Sequence, residues 1–183
     1  MAIRKILNLC LLLLTIFMPL CVSPIRASGF LVTKVYDGDT VRVEFNGGVL
    51  YVMLLGIDAP ELSIGPGMPS QPFGHEARDV LAELVLNKEV EIHGYGKAPA
   101  PDDKILGVLF HNGININLEM VKRGLAEVYQ EALPEGFDIT PFLKAEAEAK
   151  AKGKGMWSQG IDYISPKQWR HSHKSGHQNF SRH

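Results

Sequence analysis

Cysteine is scarce in this chain of 183 residues: there are two, Cys10 and Cys21. Both lie in an N-terminal segment that has the marks of a secretory signal. Arg4 and Lys5 make a short positive start, Ile6 to Val22 is almost wholly apolar and carries no charge, and Ala27, Ser28 and Gly29 supply small residues. Cleavage is expected after Ala27, leaving residues 1–27 as the signal peptide. An uncleaved membrane anchor is the competing reading. Its apolar stretch, interrupted by Asn8 and Pro19, sits at the short end of the ~17–25 residues a spanning helix needs. The bulky Leu20 before Cys21 argues against a lipid anchor. With the signal removed, no cysteine remains. That excludes disulfide staples, a cysteine nucleophile and a thiolate zinc site. The remaining length allows one domain with a sizeable core.

A basic excess is lacking as well. The chain has 19 Lys+Arg against 20 Asp+Glu, and loss of Arg4, Lys5 and Arg26 leaves 16 against 20, a net charge of −4. Proteins that coat nucleic acid are usually basic, so any contact with nucleic acid is expected to be local and metal-assisted. Internal repeats are absent. His75-Glu76 has no second histidine four residues on, which excludes a zinc-protease helix. His93 and His111 fall in predicted strands and read as structural or surface residues.

What is present alternates in a way that predicts strands and helices in turn. Phe30 to Tyr36 reads as a strand, Asp37-Gly38 as a two-residue hairpin turn, and Thr40 to Phe45 as a strand with Val41, Val43 and Phe45 on one face. Asn46-Gly47-Gly48 is a second turn, and Val49 to Ile57 a more buried third strand. Gln71 to Leu86 has helical period, with Ala77, Val80, Leu81, Leu84 and Val85 in register. Strands are predicted at Val90 to Tyr95 and Ile105 to His111, separated by a loop from Gly96 to Asp103. Asn117 is placed as the cap of a short helix ending near Gly124, Ala126 to Tyr129 as extended, and Thr140-Pro141 as the start of a helix running to about Lys152. Gly65-Pro66-Gly67 through Pro69 reads as a flexible loop. From residue 159 the chain turns polar and is expected to be a disordered tail to residue 183. Its histidines (His171, His173, His177 and His183) leave a metal-binding tail as the alternative. Truncation after Ser165 is therefore expected to change little.

The meander brings acidic residues together. A turn at residues 46–48 pairs the strands at a residue sum of 94 or 95, setting Asp39 opposite Leu55 or Gly56. Asp58 lies just past that pair, and Glu61 follows the rigid Ala59-Pro60 step. Like charges gathered at a strand end repel unless a cation joins them, and carboxylates without His or Cys favour a hard ion, Ca²⁺ or Mg²⁺. The competing reading makes Asp37 and Asp39 turn residues and Glu61 a solvated charge.

These residues also carry a resemblance. Asp37-Gly38-Asp39-Thr40-Val41, followed by Leu54-Leu55-Gly56-Ile57-Asp58-Ala59-Pro60-Glu61, resembles the thermonuclease family, the staphylococcal-nuclease-like proteins. Gln71 to Ala77, Ile114 to Leu118 with Gly124-Leu125-Ala126, and Ala145-Glu146-Ala147 with Gly155-Met156-Trp157 resemble that family's helical regions in order. The likeness covers Phe30 to Ser158, so the domain is set at 28–158. It implies an α+β fold, a five-stranded OB-fold barrel with three α-helices. It further implies an exported, periplasmic or secreted, calcium-dependent nuclease that hydrolyses DNA and/or RNA, monomeric and without a stable membrane partner once the signal is removed. Asp39 and Asp58 would hold Ca²⁺ by carboxylate, Ala59 by its backbone carbonyl, and Glu61 would be the general base.

The sequence departs from the family at the phosphate clamp. The family's first clamping arginine lies eight residues before the glutamate, where this chain has Met53. The second, at the start of the last barrel strand, is Lys104. Lysine supplies a point charge without arginine's fork, and methionine supplies none. Lys97 and Arg42 are the candidates for a migrated charge. The second function class is accordingly a catalytically impaired OB-fold module that binds nucleic acid or another ligand.

Overall fold

The computed structural model describes residues 29–63, 69–98, 103–131 and 133–174. The signal segment, the Gly65-Pro66-Gly67 loop, His177 and His183 lie outside the described residues. Strands β1 (Phe30–Val35), β2 (Thr40–Phe45) and β3 (Gly48–Leu54) form the meander. A two-residue β4 (Ile57–Asp58) follows, then α1 (Gly74–Val85), β5 (Glu89–Lys97) and β6 (Ile105–His111). After them come β7 (Ile114–Asn115), α2 (Ile116–Lys122), β8 (Glu127–Val128), α3 (Thr140–Ala151), a 3₁₀ segment (Gly155–Asp162) and α4 (Pro166–Lys174).

The sheet order is β3-β2-β1-β5-β6-β7, and β3 pairs in parallel with β6. That pairing closes five strands into a barrel, the OB-like architecture expected, with β7 added at the edge. Alternating residues fill it: Val32, Val41, Val43, Val52, Leu54 and Leu109 are all buried. Helix α1 covers one end with Ala77, Leu81 and Val85, and α2 adds Ile116, Met120 and Val121 to the same core.

Several local expectations are corrected. The β2–β3 register sums to 93, with Thr40 opposite Met53 and Phe45 opposite Gly48. The turn is the two residues Asn46-Gly47, both at positive φ (48° and 78°), so the register is shorter than a three-residue turn would give. The predicted third strand breaks after Leu54 and resumes as β4, which pairs with β8. Gly56, at φ 81°, makes the break. A side chain there would meet the Phe137 ring at 2.8 Å.

Asn117 does not cap α2. Asn115 does, its side chain accepting the Leu118 N–H at 2.9 Å. Asn117 is buried and cross-links the barrel instead. Its Oδ1 accepts from Leu109 N–H (3.0 Å), and its amide donates to the Leu55 and Gly107 carbonyls, each at 3.0 Å. With its oxygen turned to β6 and both amide hydrogens given to Leu55 and Gly107, the side chain faces the barrel and not the N–H groups of the helix terminus.

The polar tail is corrected over its described part. Residues 166–174 form α4. Ser165 and Gln168 make a reciprocal cap, with Gln168 N–H donating to Ser165 Oγ and Ser165 N–H to Gln168 Oε1, both 3.2 Å. Pro166 is buried at the helix start, and Lys167 pairs with Glu131.

Candidate active site

Three backbone devices set the acidic residues. The β1–β2 connection is the four residues 36–39, closed by Tyr36 N–H donating to the Thr40 carbonyl at 2.9 Å. Within it Asp37 Oδ1 accepts the Asp39 N–H at 3.0 Å. Gly38 is not at positive φ, so this is not the two-residue hairpin turn expected. Glycine is required there for space: a Cβ would lie 2.6 Å from that of Ala59 and 2.7 Å from that of Ala77. The loop therefore packs directly on the Asp58-Ala59 segment and on α1.

That contact brings Asp39 to Asp58. Asp39 Oδ2 accepts the Ala59 N–H at 2.9 Å, and its Oδ1 accepts the Thr40 hydroxyl at 3.0 Å. Leu54 N–H donates to the Asp39 carbonyl at 2.8 Å, tying the loop to the end of β3. Glu61 is fixed by Gln71, a buried side chain 3% exposed. Gln71 Oε1 accepts the Glu61 N–H at 3.1 Å, while its amide donates to the Ile164 carbonyl at 2.8 Å. One glutamine thus joins the glutamate loop to the chain leading into α4.

Asp37, Asp39, Asp58 and Glu61 line one cleft of about 370 Å³ at the mouth of the barrel, together with Met53, Lys104, Tyr129, Glu131 and Arg170. Lys104 stands one residue before β6, beside the β3 end that carries Met53. The two proposed substitute charges are elsewhere. Arg42 pairs with Glu44 at 2.8 Å, and Lys97 with Asp103 at 3.4 Å on exposed surface; neither lines the cleft.

The residue that sequence reasoning missed is Arg170. Its guanidinium makes a fork on Asp58, Nη1 to Oδ1 at 2.8 Å and Nη2 to Oδ2 at 2.9 Å, and Nη1 also reaches Glu61 Oε1 at 2.5 Å. The Asp58 side chain is 7% exposed, those of Glu61 and Arg170 about one-third. The signal for it was legible: Ser165-Pro166-Lys167-Gln168 is a capping box with Pro at the first helical position, and Trp169 is an aromatic in an otherwise polar stretch. Asp58 also lies opposite Glu127 across β4–β8, and the Tyr163 hydroxyl donates to the Glu127 carboxylate.

Negative charge exceeds its compensation here. Burial, then the neighbouring Asp37, raise the Asp39 carboxyl well above its ordinary value, while the Ala59 N–H pulls the other way. Burial also raises Glu61, against the opposing bond and charge of Arg170. Asp58 holds Arg170 firmly protonated, raising its pKa. The oxygen donors suit a hard cation in kind. Among the described residues, no three acidic or histidine side chains already stand in a metal-holding group. The guanidinium instead occupies both Asp58 oxygens, so a cation would have to displace or share them.

Comparison with known proteins agrees with this geometry. The family model described as staphylococcal nuclease homologue matches residues 51–159. A protein of Haemophilus influenzae described as an uncharacterized endonuclease is 36% identical over 172 residues, covering 93% of this chain and 88% of its own. An Escherichia coli protein of the same description is 31% identical over 141 residues, 76% of this chain and 83% of its own. A probable endonuclease of Pyricularia oryzae is 31% identical over 140 residues, 73% of this chain and 53% of its own. With its closed five-stranded barrel, acidic mouth and this match, the chain belongs to the family of staphylococcal nuclease homologues.

Proposed function

We propose that this chain is an exported, calcium-dependent nuclease that hydrolyses phosphodiester bonds of DNA and/or RNA. Nuclease chemistry is the activity named for its relatives. The observation that carries the reading is the convergence of Asp39, Asp58 and Glu61 in one open cleft that also receives the positive charge of Lys104. Asp39 and Asp58 would hold the ion, with the Ala59 carbonyl beside them, and bound calcium would supply positive charge against the phosphate. Glu61 would accept a proton from the water that attacks phosphorus as the P–O bond to the leaving oxygen breaks. Its backbone is held by the buried Gln71, so the carboxylate has a fixed base to work from. Lys104 would face the phosphate from the opposite strand. Export rests on the signal pattern of residues 1–27, and N-terminal sequencing of secreted protein beginning near Ser28 tests it.

The second reading, a binding module without catalysis, is favoured by one observation: Met53 faces the cleft where a clamping charge would stand. Digestion of DNA and RNA in calcium and in chelator, with Glu61→Ala as control, separates the two. Cleavage that needs both calcium and Glu61 supports the nuclease. Calcium-bound, folded protein that retains oligonucleotide and cuts none of it supports the module.

A further inference from the structure

The acidic half of the cleft is built from residues 37–61, yet its arginine comes from more than a hundred residues away. We propose that Arg170, carried by α4, is the phosphate-clamping arginine of this enzyme and takes the place that Met53 leaves without charge. The proposal rests on the nuclease reading above and names a substrate-contacting residue within it.

Four observations carry it. Among the described residues lining the cleft, the lysine and arginine side chains are Lys104 and Arg170. Lys104 has no fork, so Arg170 alone of the two can grip two oxygens at once. Its fork is already formed, set on the paired oxygens of Asp58 at 2.8 and 2.9 Å. Two non-bridging phosphate oxygens present a similar target to a guanidinium. The side chain is 34% exposed, so substrate can reach it. The helix beneath it is anchored to the machinery rather than loosely appended. Gln71 bonds both Glu61 and Ile164, Ser165 and Gln168 cap the helix, and Lys167 pairs with Glu131 at the cleft wall.

Without substrate, Arg170 neutralises Asp58 and Glu61. A cation on those carboxylates would take over that task, and the freed fork would turn to the phosphate entering beside it. Glu61 would be released from its 2.5 Å contact by the same movement and become available to water. This gives Arg170 two effects of opposite sign. It competes with calcium for Asp58, and it holds the phosphate.

The test reads both effects on the full exported chain. Arg170→Ala and Arg170→Lys are compared with wild type for calcium affinity by calorimetry and for kcat on DNA in saturating calcium. The clamp predicts that Arg170→Ala binds calcium as tightly or more tightly, while kcat falls on the order of 10²–10³-fold, the usual loss for one donor to a transition-state oxyanion. Arg170→Lys, which keeps a charge for Asp58 and so protects the fold, should lie between. A helix that merely plugs the cleft gives tighter calcium and faster cleavage in Arg170→Ala, which overturns the proposal. So does a purely structural role, seen as loss of calcium binding and activity together in Arg170→Ala with full activity in Arg170→Lys.

Should wild type cleave nothing, the nuclease reading fails by itself. The clamp is then read from binding of a short oligothymidylate with methylene-substituted, uncleavable linkages in calcium. A tenfold or larger loss in Arg170→Ala supports it, and equal binding overturns it.

Discussion

The site has two halves made in different ways. Its acidic half comes from one stretch of 25 residues, Asp37 to Glu61, folded by hairpin register and by backbone bonds such as Ala59 N–H to Asp39. Beside Lys104 of the barrel wall, its cationic half is Arg170 on α4, a helix joined to the barrel through a few side-chain contacts and one buried glutamine. The acidic half is part of the core: Gly38 packs on Ala59 and Ala77 with no room for a methyl group. The cationic half is laid over it. Charge that the fold concentrates can therefore be neutralised, or put to use, by an element whose own stability comes from capping and a handful of ion pairs. Such an element is the natural place for a side chain that must change partner during a reaction.

Removing the cationic half should have the largest effect. A chain ending at Ser165 keeps every barrel strand and the Gln71–Ile164 bond, so it should fold. It should lose cleavage on the order of 10²–10³-fold, as for loss of one oxyanion donor. Single-turnover rates alongside thermal melts check this, and unchanged cleavage would show that α4 contributes nothing.

Weakening the acidic half is next. Calcium binding only the native state stabilises it by about 2.7 kcal/mol at one hundred times its dissociation constant. Asp39→Asn should abolish most of that gain while leaving the chelator melt near or above that of wild type. Coincident wild-type melts in calcium and chelator would refute the metal site.

The frame between the halves is tested by Gly38→Ala. The added methyl must push apart the loop, Ala59 and α1, and overpacking of this kind costs about 1–3 kcal/mol. Denaturant midpoints measure it. A neutral result would mean that the loop is not seated as described.

The smallest effect is a pH dependence. Burial raises the Asp39 carboxyl above its ordinary value. An acid raised on folding binds more protons folded than unfolded, so stability falls as pH rises through that window. In chelator, the stability of wild type relative to Asp39→Asn should thus increase as pH drops from 7 toward the ordinary carboxylate value near ~4, by at most ~1.4 kcal/mol per unit. Taking the difference cancels groups shifted the other way, such as Asp138 and Glu131. A difference that is flat with pH would contradict the desolvation that raises the Asp39 carboxyl.

What was legible in the sequence follows the same division. Alternation and turn residues are local, so the meander, α1, β6 and α3 are predicted near their observed places, and the barrel with them. The convergence of Asp39 and Asp58 survives a register error of one to two residues, because the segment past β3 sweeps back across the hairpin end whichever pairing holds. Asn117 reads as a cap because an asparagine at a helix start caps it in most settings, and only tertiary packing reveals one spent on β6 and on the turn after β3. Arg42 and Lys97 are candidates by proximity in sequence, yet β2 turns Arg42 toward Glu44, and Lys97, at the end of β5, pairs with Asp103. Arg170 was missed because a polar segment was expected to have nothing to bury. Its capping box was visible, but its partners lie 109 and 112 residues away, and no local pattern encodes such a pairing.

The most direct test of the account is cleavage by wild type and by Glu61→Gln side by side, in calcium and in chelator, with bound oligonucleotide measured in the same samples. The account predicts cleavage by wild type in calcium only. Glu61→Gln should bind both calcium and oligonucleotide yet cut on the order of 10²–10⁴-fold more slowly, the range a general base supplies. Equal cleavage by the two proteins, or cleavage in chelator, would contradict it.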